Sequence, residues 1–385
     1  MREPELTEDQ RLIQETARSL AEEHFRPLAA RADREYAPPV GNLRILAEHG
    51  FCGAFIPEEY GGAGLGLFDT VIVMEQVARN CANTAILLSG TDGATPRSIL
   101  HLGTEEQKRR WLPRFARAET LAAWSMSEPE AGSDVAAVRT RARKDGDSYI
   151  IDGAKTWCSG AQVSDLFLVL VRLSDEPGMR GVGAVLVERG TPGFTIGNHL
   201  DMIGLRATGM AGLNFDACRI PADNLIVPAG GMRHLFKVLD ADRIAGNPTV
   251  CLGVAGAALD GATAYLRERK QFGKALSEFQ GLQWRLADMA IDIEAGRALL
   301  WRAARRIDAN EATPMDASVA KTFVNEMSVR VTNAAMQLAG GYGLSEEFPF
   351  ERYFRDVRGM SVGYGTTEIH RNTIAREVLE GRYAA

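Results

Sequence analysis

At 385 residues the chain is too long for one ordinary hydrophobic core, and 45% apolar with 24% charged residues is globular composition, so two or three domains are expected. A formal net charge of −6 argues against a nucleic-acid footprint, and the longest wholly apolar run, residues 166–171, is far too short to span a bilayer; neither nucleic acid nor a membrane is an expected partner. Five scattered cysteines without a CxxC or Cys/His cluster argue against a disulfide or metal framework, and Met1-Arg2-Glu3-Pro4-Glu5 carries no signal-peptide pattern, which predicts a cytoplasmic protein.

Thr7 and Gln10 have capping-box spacing, and Leu12, Ile13, Thr16, Ala17 and Leu20 follow at helical period, so an amphipathic helix opens the chain. Residues 43–50, 69–80 and 84–94 keep that period, interrupted by the breaker-rich turn Ile56-Pro57-Glu58-Glu59-Tyr60-Gly61-Gly62. Thr104 with Gln107 makes a second capping box. From about residue 121, short strand-like runs appear at 149–151, 166–171, 182–187, 194–196 and 213–215, separated by Gly, Asp and Pro turns. Their spacing suggests an antiparallel sandwich or barrel. Helical period returns from about residue 232, in segments to 272, over 278–309 and 316–338, and after Gly365. The predicted fold class is therefore α+β: an N-terminal helical domain (1–120), a middle antiparallel β domain (121–230) and a C-terminal helical domain (231–385).

Six stretches carry polar or glycine-rich patterns suited to a ligand. Gly363-Tyr364-Gly365-Thr366-Thr367-Glu368 is a glycine-bracketed turn feeding a helix N-terminus, whose free N–H groups can hold an anionic or carbonyl oxygen. Trp124-Ser125-Met126-Ser127 runs through Glu128 to Ala131-Gly132-Ser133-Asp134 and offers donors and acceptors for a flat heterocycle. In Gly153-Ala154-Lys155-Thr156-Trp157-Cys158-Ser159-Gly160, an indole and a hydroxyl lie two residues apart, on one face of the expected strand. The helical third adds Arg269-Lys270-Gln271-Phe272-Gly273, Phe279-Gln280 and Gln337-Leu338-Ala339-Gly340-Gly341, where a glycine-rich helix end permits close backbone approach.

In this order, on an α–β–α background, these stretches resemble the acyl-CoA dehydrogenase family over almost the whole chain. The likeness rests on Ser127-Glu128-Pro129 with Ala131-Gly132-Ser133-Asp134, Gly153-Ala154-Lys155 with Trp157, Arg269 with Gln271-Phe272-Gly273, Gln337 with Gly340-Gly341, and Gly365-Thr366-Thr367-Glu368-Ile369. The resemblance implies a C-terminal four-helix bundle, FAD held between it and the β domain, and a homotetramer. It implies that Met126, Ser127, Trp157 and Ser159 contact the isoalloxazine, and that Gly132 and Ser133 lie near pyrophosphate or substrate. Arg269, Phe272, Gln280, Gln337 and Gly341 would serve the adenine half of a neighbouring subunit's FAD, while Thr366 and Glu368 reach their own. The implied substrate is an acyl-CoA or acyl-carrier-protein thioester, and the implied electron acceptor is an electron-transferring flavoprotein.

Dehydrogenation between Cα and Cβ needs a base for a weakly acidic α-proton and a donor for the enolate oxygen. By resemblance the donor is the backbone N–H of Tyr364, beside Gly365. Many members carry glutamate where this chain has Tyr364, a poor base with an ordinary pKa near 10. Others carry it before an arginine on the first C-terminal helix, which here is Asp242 before Arg243, one methylene shorter. Arg243 would orient or neutralise charge nearby, and Asp240 would bind the pantetheine arm. A third candidate base is Asp92: a subgroup acting on cyclohexene-carboxyl thioesters uses an aspartate from this region for 1,4-elimination. The small residues Gly90, Thr91 and Ala94 would widen the pocket for a branched or alicyclic acyl group. Two rival readings keep the fold: a flavin monooxygenase or oxidase, and a base-less partner subunit.

Overall fold

The computed structural model describes residues 6–382, so the Met1–Glu5 stretch behind the signal-peptide expectation lies outside the described residues. Seven α-helices come first: α1 (Glu8–Leu20), α2 (Arg26–Glu35), α3 (Gly41–Glu48), α4 (Leu67–Asn80), α5 (Ala82–Asp92), α6 (Ala94–Leu102) and α7 (Glu105–Ala116). Both predicted capping boxes close reciprocally, Thr7 with Gln10 and Thr104 with Gln107. The expected helix over 84–94 is two helices broken at Gly93. A Cβ at Gly93 would stand 2.5 Å from the Ser89 carbonyl oxygen and 3.1 Å from Oδ1 of Asp242, so the break lets a carboxylate from another helix approach the backbone.

The middle of the chain is one eight-stranded sheet: β1 (Ala122–Ser125), β2 (Arg141–Asp145), β3 (Ser148–Cys158), β4 (Leu166–Arg172), β5 (Val182–Glu188), β6 (Phe194–His199), β7 (Ala211–Pro221) and β8 (Leu225–Val227). The order is β6-β7-β3-β2-β4-β5-β8, antiparallel except where β4 meets β2 and β1, which run parallel to it. β4 explains the long apolar run, because it is buried on both faces. Leu166, Leu168 and Leu170 enter a cluster with Ile56, Trp111, Phe115 and Leu239, while Phe167, Val169 and Val171 face Phe194 and Phe215.

The C-terminal third contains α8 (Met232–Ala245), α9 (Asn247–Glu268), a hairpin of β9 (Lys270–Gln271) and β10 (Lys274–Ala275), then α10 (Gln280–Asp308), α11 (Pro314–Ala339), α12 (Phe350–Met360) and α13 (Thr367–Leu379). Residues 232–268 are long and apolar enough to cross a membrane by composition, yet the segment is broken at Gly246, with Pro248 opening α9. Its apolar side chains Val250, Leu252, Val254 and Ala258 join one core with α4 and α11, which locks the N-terminal helices onto the bundle. α8 and α6 face each other along this junction, beside the edge of the sheet. The candidate site lies there.

Candidate active site

Asp242 lies in the last turn of α8 and is 1% exposed. Gly93 and Gly246 make room for it: Cβ atoms there would lie 3.1 and 3.4 Å from Oδ1. Burial pushes its pKa up to about 6, against the pull of the Arg97 guanidinium, the Tyr364 phenol and the Ala94 N–H. Oδ2 has no hydrogen-bond partner. A buried carboxylate with one oxygen uncommitted and a pKa near neutrality suits a general base.

Tyr364 is the neighbour of that carboxylate, and burial together with Asp242 drives its phenol well above the ordinary value, so it stays protonated and donates. Its backbone sits at φ 59, in the left-handed region that non-glycine residues avoid. Three bundle side chains hold this turn from beneath. Lys321 Nζ donates to the Gly365 carbonyl at 2.9 Å, His370 Nε2 lies 3.2 Å from the Tyr364 carbonyl, and Asn247 Nδ2 is 3.4 Å from that of Gly363. Because a trans peptide places its C=O and N–H on opposite sides, drawing these carbonyls toward the bundle turns the N–H groups of Tyr364, Gly365 and Thr366 outward. Burial lowers the His370 pKa to about 4, so the ring is neutral; Nδ1 faces the Ser318 hydroxyl at 3.1 Å, consistent with Nε2 as the donor to Tyr364.

Asp92 is also buried, and its carboxylate is committed elsewhere. Gly53 and Ala54 N–H each donate to it at 2.9 Å, and the Thr91 hydroxyl lies 2.7 Å away. Its work is to brace the loop after α3, 39 residues upstream of it at Gly53. Asp92→Asn is expected to destabilise the fold by about 2 kcal/mol, since one buried N–H loses its acceptor, which a thermal melt will show. Gly90 and Thr91 are engaged by the fold as well: a Cβ on Gly90 would meet the Ala122 carbonyl at 3.3 Å, and the Thr91 hydroxyl donates to the Leu88 carbonyl at 3.0 Å. Ala94, the third of these small residues, turns its backbone N–H to Asp242. Asp240 and Arg243, each about a quarter exposed, pair with one another at 2.7 Å.

Profiles of the acyl-CoA dehydrogenase N-terminal, middle and C-terminal domains match residues 7–119, 123–218 and 230–379. The chain belongs to the acyl-CoA dehydrogenase family. The short-chain specific acyl-CoA dehydrogenase of Bos taurus mitochondria is 37% identical over 98% of this chain and 91% of its own length. The butyryl-CoA dehydrogenase structure from Megasphaera elsdenii superposes with a TM-score of 0.94 at 32% identity, covering 98% of this chain and 100% of the other. A chain from the solved structure of Acidaminococcus fermentans electron transferring flavoprotein reaches 0.94 at 34% identity, covering 98% and 99%. As a member of this family the protein is an FAD-dependent oxidoreductase acting on acyl-CoA.

The positions expected to hold FAD in such a member have a consistent character. Met126 and Ser127 follow β1, and the buried Ser125 hydroxyl beside them has no partner. Gly132 and Ser133 are exposed on the adjoining loop, where a Cβ on Gly132 would meet nothing. Trp157 departs from the sequence expectation: at φ 57 its backbone leaves the extended region, so it does not share a strand face with Ser159, which lies in the turn beyond β3. The indole is 57% exposed, leaving a flat ring open to a ligand. Lys155 fixes this corner by donating to Glu128 at 2.7 Å and to the Met126 carbonyl at 3.0 Å, which ties two of the sequence motifs together inside the protein. Far across the bundle, Arg269 and Gly341 line a cleft of about 490 Å³ with Tyr265 and Tyr342. Phe272, at φ 55 and 93% exposed, has its ring 6.2 Å from that of Phe279, the residue that precedes Gln280 at the start of α10. Gln337 is exposed near the end of α11, and Thr366 caps α13 through Ile369 N–H at 3.3 Å, with Glu368 exposed in the first turn.

Three residues escaped sequence reading: Asn247, Lys321 and His370. Each looks like a helix-surface polar residue in the sequence, and only tertiary packing shows that all three serve the 363–365 turn.

Proposed function

We propose that this protein dehydrogenates a short-chain acyl-CoA between Cα and Cβ, with Asp242 as the base. The observation that carries this reading is the uncommitted, buried Oδ2 of Asp242 beside the Tyr364 turn. Asp242 takes the α-proton, and the outward N–H of Tyr364 holds the thioester oxygen as enolate charge develops. Tyr364 has two parts: its N–H binds substrate, and its phenol favours the ionised form of Asp242. FAD, when bound, supplies the redox chemistry. The open glycine at 132, the exposed Trp157 ring and the unpartnered Ser125 hydroxyl fit an extended polar cofactor with a flat ring, and Met126, Ser127, Ser133, Ser159, Thr366 and Glu368 complete its set of contacts.

Short acyl chains are favoured by the likeness to short-chain and butyryl-CoA dehydrogenases. The engagement of Gly90, Thr91 and Asp92 with the fold lends no support to a wide ring pocket or to 1,4-elimination from Asp92. Arg243 and Asp240, partly exposed at the mouth of α8, are assigned to the CoA arm. An electron-transferring flavoprotein is the proposed acceptor, supported by the likeness to a chain from such a structure. The exposed Phe272 and the Arg269–Gly341 cleft support a homotetramer in which Arg269, Phe272, Gln280, Gln337 and Gly341 meet a neighbour's cofactor. A cytoplasmic location is proposed with it.

Anaerobic bleaching of the flavin by butyryl-CoA tests this function; absence of bleaching by any straight short-chain thioester would overturn it. A pH series adds a second test. Asp242 works only when ionised, so the rate should fall as pH drops through about 6. Tyr364→Phe removes a hydrogen bond that favours the carboxylate and should move this acid limb up by about one pH unit.

A further inference from the structure

The loop of residues 200–210, between β6 and β7, is pinned by helices from both ends of the chain. α12 grips its middle: Leu205 N–H donates to Asp356 Oδ1 at 2.6 Å, and Arg355 Nη1 donates to the Ile203 carbonyl at 3.0 Å. Between these two contacts Gly204 lies flat on the helix, where a Cβ would stand 2.2 Å from the carbonyl carbon and oxygen of Arg355. From the N-terminal helices, Asp33 of α2 pairs with Arg355 at 2.7 Å, and Asn83 of α5 accepts the Ala207 N–H at 3.0 Å. Asp356 is buried, which pushes its pKa up to about 6, and the Leu205 N–H pulls the other way. Leu205 itself sits at φ 52, in the left-handed region, and such backbone persists only where its surroundings over-determine it. The N–H of the strained residue is the one that Asp356 holds.

The far end of the same loop holds the turn that follows Trp157. The Thr208 carbonyl accepts the Gly160 N–H at 2.9 Å, and the Gly209 carbonyl accepts that of Gln162 at 3.0 Å. β7 then begins at Ala211, paired with Cys158. Between that pair and Lys155 with Leu213, β3 takes three steps where β7 takes two, and within this bulge Trp157 stands at φ 57 with its indole outward. Bulges re-aim a side chain, and the flank of this one beyond Trp157 is set by the loop. α12 meanwhile runs on toward the 363–365 turn, its Met360 carbonyl anchored by Asn247 Nδ2 at 2.8 Å. One helix therefore bears on two turns, the one assigned to the thioester oxygen and the one assigned to the flavin ring.

We propose that Asp356 is a positioning residue for the flavin: through Leu205 it fixes the 200–210 loop on α12, and the loop's Thr208 and Gly209 carbonyls fix the turn that presents Trp157 and Ser159 to the isoalloxazine. This inference deepens the proposed function and rests on its assignment of those two residues to FAD. Without the carboxylate the Leu205 N–H loses its acceptor and the strained backbone can relax, so the Trp157 bulge loses its outer support.

The test uses the full chain labelled with 5-fluorotryptophan, with and without FAD; its five indoles are followed by fluorine NMR, and Trp157→Phe identifies the Trp157 signal. Asp356→Ala removes the acceptor from Leu205, whereas Asp356→Asn keeps an oxygen there. Gly204→Ala leaves every carboxylate in place and pushes the loop off α12. In Asp356→Ala and Gly204→Ala the Trp157 signal should move while those of Trp111, Trp284 and Trp301 hold, and the FAD dissociation constant should rise on the order of tenfold. Asp356→Asn should return both readings toward the wild type. A Trp157 signal that stays in place in Asp356→Ala overturns the proposal, and so does an unchanged FAD affinity. Movement of all five signals together overturns it as well, since Asp356 would then only stabilise the fold. If Asp356→Ala does not fold, Gly204→Ala decides on the same readings. A wild-type Trp157 signal indifferent to FAD would instead sink the assignment of that indole to the flavin, and the cofactor-free spectra would still decide whether Asp356 positions the turn.

Discussion

Replacing Asp242 with asparagine is expected to slow anaerobic flavin bleaching by butyryl-CoA about a hundredfold to ten-thousandfold, the range that a positioned proton acceptor contributes. The change is nearly isosteric, so Gly93 and Gly246 keep their clearance around the side chain and the fold should survive. What disappears is the charge that Oδ2 brings to the α-proton. A second measurement isolates that step. Solvent deuterium should enter the α-position of a CoA thioester that binds but lacks a removable β-hydride in wild type, and should not in Asp242→Asn. Exchange at the wild-type rate in the variant would remove Asp242 from the role. If Asp92→Asn then abolished exchange while its melting temperature held, the base would be Asp92 and the loop-bracing account of that residue would be wrong.

The three-part organisation could be read in the sequence because it depends on period, and period is local. The helical periods of α1, α4 and α10 and the short β runs needed no knowledge of partners. β4 was legible as an apolar run, although only the sheet order explains why both its faces are apolar. What could not be read were the breaks at Gly93 and Gly246. A lone glycine in a helical pattern is usually tolerated, and both breaks here accommodate the Asp242 carboxylate, which is far from Gly93 in sequence and one turn before Gly246. The same limit applied to the site. Asp242 could be named from the pattern around it, but choosing between it and Asp92 required knowing which carboxylate the backbone had already claimed, and Gly53 and Ala54 lie far away in sequence. Lys321 and Arg97 stayed hidden because a charged residue on a helix normally belongs to a solvated face, whereas both are buried.

Lys321→Met is the second variant expected to have a large effect, on the order of a hundredfold in kcat/KM, because a donor to the developing enolate depends on the turn that Lys321 holds. The lysine is 0% exposed and burial lowers its pKa to about 8, so near neutral pH it keeps its proton and donates to the Gly365 carbonyl at 2.9 Å. Methionine preserves the volume of the stem and removes the donor. The Gly365 carbonyl then loses its partner, and the turn that carries Tyr364 at a strained φ of 59 loses one of its three anchors, two peptides beyond the Tyr364 N–H, so that N–H is displaced only through the turn as a whole. His370 and Asn247 remain, so the turn should shift without the bundle unfolding. Loss of stability alone would weaken every CoA ligand alike. A positioning role predicts a selective loss: binding of an acyl-CoA thioester should weaken much more than binding of the matching alkyl-CoA thioether, which has no carbonyl for the Tyr364 N–H to hold. Equal weakening of the two would reduce Lys321 to a packing residue. Selective weakening would show that a lysine in the bundle core sets the position of a backbone N–H at the reacting oxygen, with Asp242 across from it to take the proton.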